Sequence, residues 1–211
     1  MQIIYLKSID STQTYLKSRI QTKELQAPVA VVADIQTNGL GSRDNTWRSY
    51  EGNLFLSFAI KLKSLPKDLK LESASIYLAY ILKETLENLY SKVFLKWPND
   101  FMIEDKKIGG MITNIVDDTL ICGVGLNLLT APKEFNILDI KIDKKTLLDK
   151  YFKNLENNLS WKQIFSKYEL EFYGNKFFYT HNNNHKISLK DAKLEEDGSI
   201  LINGERIHSL R

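Results

Sequence analysis

The 211-residue chain has a single cysteine, Cys122, and only three histidines. One thiol excludes an intrachain disulfide framework and a cysteine-clustered zinc site, and the histidines offer no metal-ligand cluster. No apolar run approaches the roughly 20 residues that span a bilayer. The opening MQIIYLKSID lacks a long apolar stretch and a small-residue cleavage site, so no secretory leader is read there. An excess of one charge is also missing: 29 Lys and Arg oppose 26 Asp and Glu, for a net +3. Dedicated nucleic-acid binders concentrate far more positive charge, so no DNA partner is expected. The rest is ordinary, with 43% hydrophobic and 26% charged residues, enough for one substantial core. A cytoplasmic protein with no membrane association is the expectation.

Hydrophobic patterning divides the chain. Residues 29–34 and 53–61 read as buried strands, rich in Val, Ala, Leu and Phe. Between them lies QTNGLGSRDNTWRSYEG, too long for a simple turn, and loops of that length tend to be functional. Helical spacing of Ala74, Tyr77, Leu78, Ile81, Leu82, Thr85 and Leu89 predicts a helix over 71–90. Four strands follow at 93–97, 101–104, 108–116 and 119–126, with charged turns DKK and DD between the later ones. A second helical region covers 144–173. From Lys176 the chain turns to short strands, too small a set to make a stable core alone.

Three patches carry chemistry. In QTNGLGSRDNTW, Gly39 and Gly41 free the backbone to approach a ligand, and Arg43 and Arg48 can neutralise phosphate. Taken alone, that patch reads more readily as a surface loop. In LKWPND, Pro98 ends a strand, and Asn99 and Asp100 suit a turn beside a packed Trp97. In KKIGGMI and ICGVGLN, interior strand glycines at 109, 110, 123 and 125 mark close approach of a ligand or of another backbone. Lys107 opens the first of those strands and Asn127 closes the second.

Taken together and in order, Gln36…Gly39-x-Gly41…Trp47, Gly52-Asn53-Leu54, Lys96-Trp97-Pro98-Asn99-Asp100, Lys107-Ile108-x-Gly110 and Gly123-x-Gly125-x-Asn127 resemble the biotin protein ligase family. Ile9-Asp10-Ser11-Thr12 resembles that family's opening segment, so the likeness covers about residues 9–127. It implies an α+β fold: a mixed sheet packed with helices over 1–174, then a small C-terminal SH3-like β domain over 175–211. It also implies a short form, since the motifs begin too early to leave room for an N-terminal DNA-binding domain.

The implied activity is that of a biotin–[acetyl-CoA-carboxylase] ligase. Biotin and ATP are its substrates, Mg2+ accompanies the ATP, and biotinyl-5′-AMP is the intermediate. The implied partner is the biotin carboxyl carrier protein of acetyl-CoA carboxylase, and homodimerisation is left open. By motif match, Lys107 and Arg43 are the catalytic residues. Ser11, Thr12, Gln36, Gly39, Gly41, Lys107 and Gly110 contact biotin, and Arg43, Trp47, Asn99, Asp100 and Asn127 contact the adenylate. Two positions depart from the family pattern. GLGSRDNTW places Ser42 where an arginine is usual, which passes the phosphate role to Arg43, and Gln13 follows Ser-Thr where Asn is common. The competing readings are a lipoate- or octanoate-type acyl ligase of the same superfamily and a non-catalytic basic binding module.

Overall fold

The computed structural model describes residues 1–42, 45–182 and 185–209. Strand β1 (Gln2–Ile9), helix α1 (Thr12–Gln21) and strand β2 (Val29–Gln36) form a parallel crossover. A two-residue ladder, β3 (Gly39–Leu40) with β4 (Thr46–Trp47), lies in the long glycine-bearing loop before β5 (Leu54–Lys61). After helix α2 (Ala74–Glu87) come β6 (Phe94–Lys96), β7 (Asp100–Ile103), β8 (Lys106–Val116) and β9 (Thr119–Leu126). The seven long strands make one mixed sheet in the order β1-β2-β5-β9-β8-β7-β6, antiparallel everywhere except β1–β2.

Helices cover both faces, so the central strands are apolar on both sides. Leu54, Leu56 and Phe58 of β5 join the larger core with α2, α3 (Lys144–Glu156) and α4 (Trp161–Phe172). Ala59 joins a smaller core with Leu16 and Ile20 of α1. The patterning of β1 and α1 does not announce them. β1 is a half-exposed edge strand, and α1 buries only Leu16 and Ile20 as apolar anchors in a polar sequence. The expected helical region 144–173 is two helices. Asn158 takes a left-handed φ of 48° that stops the first, and Ser160 caps the second in a reciprocal box with Gln163. No helix among the described residues is long and apolar enough to cross a membrane.

The C-terminal segment adds a hairpin, β10 (Tyr179–Asn182) with β11 (His185–Ser188), and a three-stranded sheet of β12 (Lys193–Leu194), β13 (Ile200–Ile202) and β14 (Glu205–Ile207). Leu189, Ala192, Ile200, Ile202 and Ile207 belong to the same apolar cluster as Leu95, Trp97 and α2. The expected boundary at 174/175 falls inside a 3-10 turn, Tyr173–Phe177. Fully buried Asn175, in that turn, accepts from Trp97 N (2.6 Å) and donates to Leu95 O (3.1 Å). Glu171 Oε1 accepts from Leu95 N at 2.6 Å. Side chains of α4 and the turn thus satisfy the outer edge of β6, an edge that would otherwise pair with another chain.

Candidate active site

The site opens at the N-terminus of α1. Ser11 is the N-cap, its hydroxyl accepting from Thr14 N, and Thr12 and Gln13 form the first turn. Gln36, at the end of neighbouring β2, accepts through Oε1 from both Thr12 N (2.8 Å) and Thr12 Oγ1 (3.0 Å). Thr12 has one hydroxyl proton, so the 2.9 Å contact with Ser57 Oγ is donated by Ser57. Gln36 therefore presents its Nε2 donor, with no other partner among the described residues.

Glycines make the floor. Gly110 of β8 sits opposite Gly125 of β9, and Ile112 opposite Gly123. A Cβ on Gly125 would lie 2.5 Å from the Trp47 indole, and one on Gly123 would lie 2.7 Å from Gln13 Oε1. These positions are glycine because side chains already lie against that face of the sheet.

A β-bulge places the lysine. Phe101 pairs with Gly109 but Met102 pairs with Lys107, which leaves Ile108 as an extra residue in β8. Ile108 turns into the core, and Lys107 comes onto the face that carries Gly110. Lys107 Nζ is 2.6 Å from Asp100 Oδ1, and Lys96 Nζ is 2.7 Å from Asp100 Oδ2. Burial opposes the charged carboxylate, but the two ammonium groups outweigh it and hold the Asp100 pKa at about 2. A depressed acid contributes stability above its unfolded pKa near 4 and loses it as pH falls toward 2. The wild-type advantage in unfolding free energy over Asp100→Asn is expected to be about 2 kcal/mol at pH 6 and to vanish toward pH 2. Urea titrations of both proteins across that range check it; a gap that does not change with pH contradicts the pairing.

Ser11, Thr12, Gln36, Gly41, Trp47, Asn99, Asp100, Lys107 and Gly110 all line one pocket, which encloses about 480 Å³. Gln13, Ser57, Met111, Ile112, Gly123 and Gly125 line it too, without having been assigned to it from sequence. For Ser57 the available signal is a hydroxyl inside an otherwise apolar strand. Asn99 donates to Met111 O at 2.6 Å, so part of its amide holds β8. Trp47 lies over Gly125 with its ring centroid 5.8 Å from Lys107 Nζ, and its buried Nε1 has no partner among the described residues. Gly39 does not line the pocket; it pairs with Trp47, leaving no room for a Cβ beside Trp47 O and Gln36 Nε2. Asn127 lines an adjacent cavity with Trp47, Arg48, Pro132 and Phe135. Its amide is engaged by Asn53 Nδ2 (3.4 Å) and Asn136 O (3.2 Å). Arg43 lies outside the described residues.

The sheet, its glycine floor and the lysine-carboxylate head define an α+β ligand pocket with hydroxyls and amides at one end and fixed positive charge at the other. The model of the biotin/lipoate A/B protein ligase family matches residues 5–127, and the chain belongs to that family. The bifunctional ligase/repressor BirA of Escherichia coli is 30% identical over 162 residues, 69% of this chain and 49% of that protein. The chain spans about half the length of the curated relatives it matches. Among solved structures, the biotin acetyl coenzyme A carboxylase synthetase of Helicobacter pylori, with biotinylated ATP bound, superposes with a TM-score of 0.94 at 39% identity, covering 98% of this chain and 99% of that one. The biotin protein ligase of Aquifex aeolicus, in complex with biotin and ATP, has a TM-score of 0.77 at 28% identity, covering 100% and 96%.

Proposed function

We propose that this chain activates biotin with ATP and transfers it to a lysine of the biotin carboxyl carrier protein of a biotin-dependent carboxylase. The observation that carries the reading is Lys107, held by Asp100 at the head of a glycine-floored pocket whose far end presents Ser11, Thr12 and Gln36. A biotin carboxylate oxygen attacks the α-phosphorus of ATP, the bond to the bridging oxygen breaks, and pyrophosphate leaves with the mixed anhydride formed. The carrier lysine amine then attacks the anhydride carbonyl, and AMP departs as the C–O bond breaks. Both steps build negative charge on phosphate oxygens, and a prepositioned ammonium stabilises it without reorganisation.

In this reading Lys107 is catalytic, and Arg43 supplies a second positive charge from the loop. Ser11, Thr12, Gln36, Gly39, Gly41 and Gly110 shape the biotin subsite. Trp47, Asn99, Asp100 and Asn127 surround the adenylate, with Asp100 and Asn127 acting through the groups they hold. Magnesium enters with ATP as part of the substrate. Among the described residues no group of three His, Cys, Asp or Glu could hold a metal, and Asp100 is committed to two lysines. The 175–211 segment is read as an SH3-like domain docked on the catalytic domain, and the setting as cytoplasmic.

Pyrophosphate exchange into ATP tests the assignment. Biotin is expected to drive exchange, with lipoate, octanoate and no added acid at background. Exchange with lipoate or octanoate instead would transfer the assignment to that branch of the family. No exchange with any acid would overturn it.

A further inference from the structure

Gln13, the residue that departs from the family pattern, is 4% exposed, and its Oε1 has no hydrogen-bond partner among the described residues. An unpaired buried carbonyl is costly, and native folds leave few of them without a reason. The orientation of the amide is fixed from behind. Nε2 donates to Asn114 Oδ1 (3.1 Å) and to Ile121 O (3.3 Å), and the backbone carbonyl of Ile121 can only accept. Turning the amide over would set oxygen against that carbonyl, so Oε1 stays on the side of Gly123, whose missing Cβ leaves it 2.7 Å of clearance within the pocket.

The acceptors nearby are already taken. Gln36 Oε1 receives two donors from Thr12, and Thr12 Oγ1 receives the proton of Ser57. The pocket therefore offers one free amide acceptor, Gln13 Oε1, and one free amide donor, Gln36 Nε2. A cyclic urea carries the complementary set, N–H beside C=O.

We propose that Gln13 Oε1 accepts a ureido N–H of the substrate, which makes Gln13 a residue that selects a cyclic-urea acid over acids with hydrocarbon or dithiolane heads. The proposal rests on the biotin reading above. A head group without N–H leaves the carbonyl buried and unpaired, and sites built around a hydrogen bond discriminate strongly against ligands that cannot make it.

Calorimetric titration of the full chain with biotin, and with two biotin derivatives each methylated on one ureido nitrogen, tests it. Wild type should bind one of the two derivatives far more weakly than biotin. Gln13→Met, close in volume and lacking the acceptor, should bind biotin about 10- to 100-fold more weakly and lose its discrimination at that same nitrogen. If Gln13→Met does not fold, Gln13→Asn, which withdraws the acceptor by one methylene, carries the same comparison. Wild type that binds biotin yet ignores methylation at both nitrogens overturns the role of Gln13, as does a variant that keeps full affinity and discrimination. Wild type that binds no biotin overturns the functional reading itself.

Discussion

Lys107→Met should lower biotin-dependent pyrophosphate exchange by about 100-fold or more with little change in unfolding free energy. The asymmetry comes from Asp100. Its Oδ2 remains paired with Lys96 at 2.7 Å when Lys107 is gone, so no buried carboxylate is left alone. Met also keeps the length of the lysine stem, and β8 keeps its bulge because Ile108 still packs in the core. What disappears is one positive charge facing the pocket, and in a partly desiccated site that charge is worth far more than at the surface. Exchange rates measured beside denaturant curves separate the two effects. Near-normal exchange would remove Lys107 from the chemistry; lost exchange with a matching loss of stability would make it a structural residue.

Trp97→Ala should destabilise the chain by about 3–5 kcal/mol, equivalent to a fall of about 10 °C in Tm for a protein of this size. Trp97 is 0% exposed, and its indole Nε1 donates to Gly198 O at 2.9 Å across the seam between the catalytic domain and the C-terminal strands. Truncation leaves both a cavity and an unpaired carbonyl. Because Ile200, Ile202 and Ile207 share a cluster with Leu95 and α2, the loss should shift one cooperative transition. Calorimetry checks both parts. Two transitions, with only one displaced, would mean that residues 175–211 melt as a separate unit.

Most of the sheet was legible because β2, β5, β8 and β9 are apolar runs bounded by turn residues, which is how strands buried on both faces read. β1 and α1 were not, since each presents few apolar positions and takes its place from non-local pairing. The motifs around Lys107 and Asp100 stood out as residues, but their contact depends on a ladder that sequence spacing does not reveal. Thr12 and Ser57 meet across 45 positions of chain, beyond any local pattern. Gln13 was visible as a departure; that its oxygen is unpaired follows only from where Ile121 and Asn114 lie. The break at Asn158 was missed because apolar residues at helical spacing recur on both sides of it.

The extra residue at Ile108 also bears on how relatives can be compared. In a regular strand, side chains three positions apart point to opposite faces, yet Lys107 and Gly110 share one. The bulge inverts the parity of everything before it, so the lysine-to-glycine interval is odd only while the insertion is kept. A relative that lost one residue here would need its lysine an even number of places from that glycine to reach the same pocket. Column-by-column conservation would score such a protein as lacking the lysine, although its geometry would be unchanged.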